Sequence, residues 1–154
     1  MKLKLQSGFS VIEIFIVVGI LALLTGIIFG TFVSYRKSEA LNKDTETIIE
    51  VLRQARSQTL SSQNASQYGV HFETGKVTLF TGTSYSAGVS TNQDFIISST
   101  DTIITINLLG GGSSVIFKRL SGETDQTGTV VISSPTSPRT KTVTIYATGL
   151  VEIN

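Results

Sequence analysis

An apolar run from Phe9 to Val33 dominates this sequence, and it holds a single charge, Glu13. From Ile14 to Tyr35 there is no charge at all. At ~1.5 Å rise per residue, a helix of about 25 residues spans roughly 37 Å. A hydrocarbon core is ~30 Å thick, so such a helix crosses it with some tilt. Two other readings compete. A helix buried in a soluble core needs apolar neighbours on all sides, and a chain of 154 residues builds no core that large. A secretory signal peptide has an apolar region of only ~7–15 residues that ends in a small-x-small cleavage site. This run is longer, and Thr25-Gly26-Ile27 is a poor site of that kind. Residues 9–33 are therefore expected to form a transmembrane helix.

Glu13 makes that helix unusual. An ionisable group inside a bilayer-length segment is expensive and marks function by default. It needs a partner, or it must snorkel to the headgroups. Ala22, Gly26 and Gly30 recur every four residues and line one helix face. Small residues at that spacing let helix backbones approach closely. Glycine also loosens a helix, by ~1 kcal/mol relative to alanine. Packing face and flexible point are both open for this stripe.

A polar stretch with Lys2 and Lys4 precedes the run and ends in Gly8. Ser7-Gly8-Phe9-Ser10-Val11-Ile12-Glu13, continued by Ile14-Phe15-Ile16-Val17-Val18, resembles the leader junction of type IV pilins and type II secretion pseudopilins. The resemblance implies a leader over residues 1–8. A prepilin peptidase would cut it off after Gly8, on the cytoplasmic side, and would N-methylate Phe9. It implies that Glu13 pairs with the N-terminal amine of a neighbouring subunit during assembly. The implied partners are other pilin or pseudopilin subunits, the peptidase, an inner-membrane assembly platform and the lipid bilayer. The implied place is the bacterial inner membrane, single-pass, with the C-terminal domain outside the cytoplasm and then in a filament. Many pilins carry proline where this chain has Gly30, so the chain departs from the family there. Charge alone leaves orientation open, because Lys2 and Lys4 on one side face Arg36, Lys37 and Lys43 on the other.

The segment 34–62 continues the helix. Leu41, Thr45, Ile48, Leu52, Ala55 and Thr59 follow a 3–4 spacing, with Ile49 and Leu60 beside them. Lys43, Asp44, Glu46, Glu50, Arg53 and Arg56 fall largely off that stripe. The pattern predicts an amphipathic helix with one face to bury. Ser61 to Asn64 then favour a cap and a turn.

Past residue 62 the period changes to two. Tyr68 to Phe72 and Lys76 to Phe80 flank Glu73-Thr74-Gly75, a hairpin signal. Further strands are expected at Phe95–Ile97, Thr102–Leu108, Ser114–Leu120, Gly128–Ser133, Lys141–Ala147 and Leu150–Ile153, all rich in Val, Ile, Thr or Phe. A longer loop is expected over Ser84 to Asp94. The fold class is thus α+β: a long N-terminal helix, transmembrane then amphipathic, packed on an antiparallel β-sheet domain over 63–154. Leu52 to Ser57 with Gly69 to Phe72, Phe117 to Gly122 with Gly128 to Ile132, and Thr142 to Ile145 with Gly149 to Val151 resemble the minor pseudopilins of the GspH/FimT type. That resemblance implies a place at or near a filament tip.

Catalysis finds little purchase. His71 is the single histidine, it lies in a strand pattern, and there is no cysteine. The absence of cysteine also excludes disulfides and thiolate metal sites. Gly110-Gly111-Gly112 is followed by no helix pattern, so it is a turn and not a phosphate cradle. Asp94, Asp101 and Asp125 are scattered, which leaves a loop calcium site open without the alternation of an EF-hand loop. No cofactor is expected. Removing Lys2 and Lys4 takes the side-chain charge from +1 to −1, so no strong field draws nucleic acid. One alternative is a DNA-binding minor pilin for DNA uptake, since relatives of the FimT type bind DNA through C-terminal basic residues. Lys118, Arg119, Arg139 and Lys141 would carry it here, with Glu123 and Asp125 among them. A plainer alternative is a membrane-anchored surface domain.

Overall fold

The computed structural model describes residues 10–135 and 139–154. The expected leader, the Gly8–Phe9 junction and residues 136–138 lie outside them. The chain is α+β, with an apolar N-terminal helix and antiparallel sheets. It divides into two compact units between Arg36 and Lys37.

Helix α1 runs over Val11–Leu60, 50 residues uninterrupted by proline. Ser10 precedes it, and its carbonyl accepts from the Glu13 and Ile14 N–H groups at 3.0 and 3.3 Å. The helix stops at Leu60, two residues before the expected end, because Ser62 turns left-handed at φ 49°. A 3-10 turn at Gln63–Ala65 follows. Thr59 ties this end to the first strand: its hydroxyl accepts the Tyr68 N–H at 2.9 Å and donates to the Ala55 carbonyl at 2.8 Å.

The expected stripe is the buried face of α1. Leu41, Thr45, Ile48, Leu52, Ala55 and Thr59 are all buried, and so are Ile49 and Val51. Leu60, beside the stripe, is exposed. Asp44, expected largely off the stripe, is buried. The Ser98 N–H donates to its Oδ2 at 2.9 Å, which draws it inward.

The strands are β1 (Tyr68–Glu73), β2 (Lys76–Thr81), β3 (Gln93–Ile96), β4 (Thr102–Leu108), β5 (Ser114–Ile116), β6 (Gly128–Ser133), β7 (Thr140–Ile145) and β8 (Val151–Ile153). They form two four-stranded antiparallel sheets. The first runs β3-β2-β1-β5 and the second β4-β6-β7-β8. The split follows from β5, which pairs back onto β1 with Gly69 opposite Ile116. Chain neighbours β4 and β5 therefore belong to different sheets. The β1–β2 hairpin turns at Thr74-Gly75 with Glu73 opposite Lys76, where the sequence placed it. The expected strand Ser114–Leu120 ends at Ile116. Lys118 donates its N–H to the Glu123 carbonyl and Leu120 takes φ 69°, so the chain bends there into a loop.

Both sheets and α1 contribute to one core, which includes Ile48, Leu52, Phe72, Phe117, Ile132 and Ile145. At about 25 cal/mol per Å² of apolar surface removed from water, burial of this kind dominates the stability of the domain. Arg56 adds a polar staple. Its Nε donates to the Gly122 carbonyl at 3.1 Å and its Nη2 to the Thr148 carbonyl at 3.2 Å. Gly149, at φ 75°, lies so close that a Cβ there would run into the Gly122 carbonyl oxygen.

Candidate functional site

Val11–Ile28 is long and apolar enough to cross a membrane, and none of that window is buried by the rest of the chain. Phe15, Leu23 and Ile27 are 72%, 73% and 70% exposed. In water such a surface would aggregate, so lipid or other helices must cover it. Thr25 adds no unsatisfied donor, because its hydroxyl bonds back to the Leu21 carbonyl at 2.7 Å.

Glu13 lies in the first turn of α1, beside Ile14, Val17 and Val18. Among the described residues it makes no ion pair. A carboxylate at a helix N-terminus is favoured by the macrodipole, which lowers its cost near the first turn. Ala22 is exposed, and a Cβ added at Gly26 would meet nothing within 4 Å. This face is open to a close neighbour. Gly30 lies in the same helix.

The four basic residues are not brought together. Lys118 pairs with Asp125 at 2.6 Å. That bond raises the Lys118 ammonium above its ordinary value. Arg119 is exposed on the next residue. Arg139 instead donates to Ser38 Oγ at 2.6 Å. Lys141 lines a concavity with Glu39 and Glu46. Lys141 sits at the start of β7, whereas the 118–125 loop reaches Ala147 past its end through the Thr124 N–H. Lys141 and Ala147 are six positions apart along β7 and the turn after it, up to roughly 20 Å.

His71 is held in place. Its Nδ1 lies 2.8 Å from Ser114 Oγ, and its ring stacks on Tyr85 at 3.8 Å, 8° from parallel. Glu73 stands 3.9 Å from Nε2, beyond a hydrogen bond. A serine–histidine–carboxylate relay needs that second bond to orient the base, and here the stack on Tyr85 orients the ring instead. Burial lowers the His71 pKa below its ordinary 6.5, against the opposing charge of Glu73.

Asp94, Asp101 and Asp125 go to separate partners. Asp94 binds Lys76 at 2.9 Å and the Thr78 hydroxyl at 2.6 Å, Asp125 binds Lys118, and Asp101 faces Asp44. Among the described residues no group of three or more His, Cys, Asp or Glu side chains could hold a metal. A groove of about 460 Å³ between α1 and β8 is lined by Glu46, Glu50, Arg53 and Glu152 together with apolar side chains. The sequence missed two polar features of this domain, the buried Asp44 and the Arg56 staple. Both depend on partners more than fifty residues away in the chain. Comparison with protein-family models, with curated proteins and with solved structures returns no match.

Proposed function

We propose that this chain is a non-catalytic subunit of a filament assembled from the membrane, of the kind that type IV pilins and type II secretion pseudopilins build. The observation that carries the reading is Glu13, the one charge of an apolar segment whose Val11–Ile28 window is exposed among the described residues, set five residues after Gly8. A carboxylate placed there is stabilised by pairing with a cation when helices bundle. Under the resemblance that cation is the methylated amine of Phe9 in a neighbouring subunit, freed by cleavage after Gly8. Ala22, Gly26 and Gly30 would let the bundled helices approach, and the C-terminal domain would stand outside the cytoplasm of a bacterial inner membrane. The order of helix, hairpin and closing strands favours a minor pseudopilin of the GspH/FimT type.

The DNA-uptake alternative draws less support. Of the four basic residues, Lys118 is neutralised by Asp125 and Lys141 lies among glutamates.

The test is the intact mass and N-terminal residue of the full chain co-expressed with a prepilin peptidase. A product beginning at N-methylated Phe9 is expected. A product still beginning at Met1 beside an active peptidase would sink the proposal and leave a membrane-anchored domain.

A further inference from the structure

Two carboxyl groups meet inside the domain where α1 touches the turn between β3 and β4. Asp44 is 8% exposed and Asp101 is 5% exposed. The Asp101 N–H donates to the Ser98 carbonyl at 2.9 Å, so a single residue, Ser98, joins the two aspartates, whose carboxyl groups act on each other. The Ser98 N–H donates to Asp44 Oδ2 at 2.9 Å. Both carboxyl oxygens of Asp101 are fully buried and find no donor.

Two ionised carboxylates cannot share such a place at neutral pH. Each repels the other, and burial raises the cost of both charges. A buried acceptor without a donor costs roughly 1–3 kcal/mol, and more when charged. One proton eases all three problems, and leaves one Asp101 oxygen without a donor. It removes one charge, supplies one missing donor and forms an O–H···O⁻ bond, among the strongest available. A cation would also serve, but hard cations take six or more oxygen ligands, and the described residues gather no third carboxylate here.

We propose that Asp44 and Asp101 hold one proton between them, and that this proton latches the β3–β4 turn onto α1. The turn is one of the crossovers that carry the chain from the first sheet to the second. Among the described residues its other bonds join neutral groups, including Asp101 N–H to Ser98 carbonyl at 2.9 Å, Ile97 N–H to Gly75 carbonyl at 3.0 Å, Ile103 N–H to Thr74 carbonyl at 3.0 Å and Ser134 Oγ to Thr100 carbonyl at 3.1 Å. The latch is the one contact of this crossover that responds to acidity.

The charged groups acting on Asp44 are Asp101 from the turn and Lys43 from its own helix. Burial comes first and lifts the Asp44 carboxyl above its ordinary 3.8; the Ser98 N–H opposes it, the bond and charge of Asp101 reinforce it, and Lys43 opposes it weakly. The sign follows. A folded-state value raised above the unfolded one gives stability that is complete below the unfolded value, 3.8, and is lost as pH rises through the raised folded value. The domain therefore loosens at this joint as pH rises through that raised value.

The test uses the full chain in detergent micelles. Carboxyl ¹³C NMR on aspartate-labelled protein should show one carboxyl of the pair still protonated above the ordinary carboxylate range. Thermal unfolding of the wild type should lose about 5 °C or more as pH climbs through that titration. Asp101→Asn supplies a fixed amide donor to Asp44, so its melting temperature should stay flat across the same window. The proposal is overturned if every aspartate titrates in the ordinary range, a measurement that needs the wild type alone. It is overturned equally if calcium or magnesium chloride raises the wild-type melting temperature at neutral pH and chelation reverses it, since a cation would then occupy the joint.

Discussion

Replacing Gly149 with alanine should be among the costliest single-methyl changes in the domain. Gly149 has φ 75°, a conformation that costs an L-residue about 1–2 kcal/mol. The new Cβ would also collide with the Gly122 carbonyl oxygen and lie 2.8 Å from Arg56 Nε. Relief requires the β7–β8 turn and the Gly122 carbonyl to be pushed apart and away from Arg56. That breaks the bonds from Arg56 to the Gly122 and Thr148 carbonyls. Hydrogen bonds from a charged donor contribute about 1.5–3 kcal/mol each, and the partial exposure of Arg56 places both at the low end. The sum is about 4 kcal/mol, or roughly 15 °C in melting temperature for a domain of this size. The full chain can be unfolded in detergent and followed by tyrosine fluorescence, because it has no tryptophan and Tyr68 is buried. Gly75→Ala is the control: a Cβ there meets nothing within 4 Å, so its effect should stay within about 0.5 kcal/mol. Arg56→Ala should cost about 2–3 kcal/mol alone, yet add little to Gly149→Ala, because both remove the same bonds. A Gly149→Ala protein that unfolds with the wild type, or a double variant with fully additive losses, would refute the reasoning.

Three shorter expectations follow. Glu13→Gln should leave membrane insertion and cleavage unchanged, while incorporation into filaments, scored by sheared-fraction immunoblot, falls at least tenfold; unchanged incorporation would remove the role assigned to this carboxylate. His71 has its pKa lowered by burial, so its contribution to stability is present above 6.5 and is lost as pH falls through the lower folded value; His71→Gln should flatten the acid limb of unfolding, and ring NMR should place the wild-type titration below 6.5. The full chain should give no salt-sensitive shift of DNA at low ionic strength, and Arg139→Ala should change nothing there, whereas a shift abolished by that substitution would revive the nucleic-acid reading.

Local pattern and long-range pairing differ sharply in what they disclose. Gly128–Ser133 stands where alternation put it, since its periodicity reflects a sheet face against the core; Thr102–Leu108 keeps its expected bounds, but a bulge between Ile103 and Thr105 breaks the alternation and leaves Ile104 exposed. The stripe on α1 is legible for the same reason. The division into two sheets is not, because it turns on β5 returning to β1, a pairing that no local signal announces. Ser114–Leu120 looks like one strand because its apolar residues continue, yet the left-handed Leu120 and the pull of Glu123 on Lys118 cut it short. Asp44 reads as a solvated charge until Ser98 and Asp101 are folded against it. Glu13 is the opposite case: the sequence isolates it, and no ion-pair partner for it lies among the described residues.

A helix whose apolar window is exposed among the described residues divides the work of natural selection. Substitutions between Val11 and Ile28 should leave the unfolding energy of the C-terminal domain unchanged, because none of that window is buried. They are judged by whatever surrounds that helix. Substitutions in the sheets are judged first by whether the domain folds. A protein so divided can change its exposed loops quickly while its membrane helix stays fixed, since each half answers to a different environment. Drift in the domain without drift in the helix is the signature such a history would leave among variants of this chain.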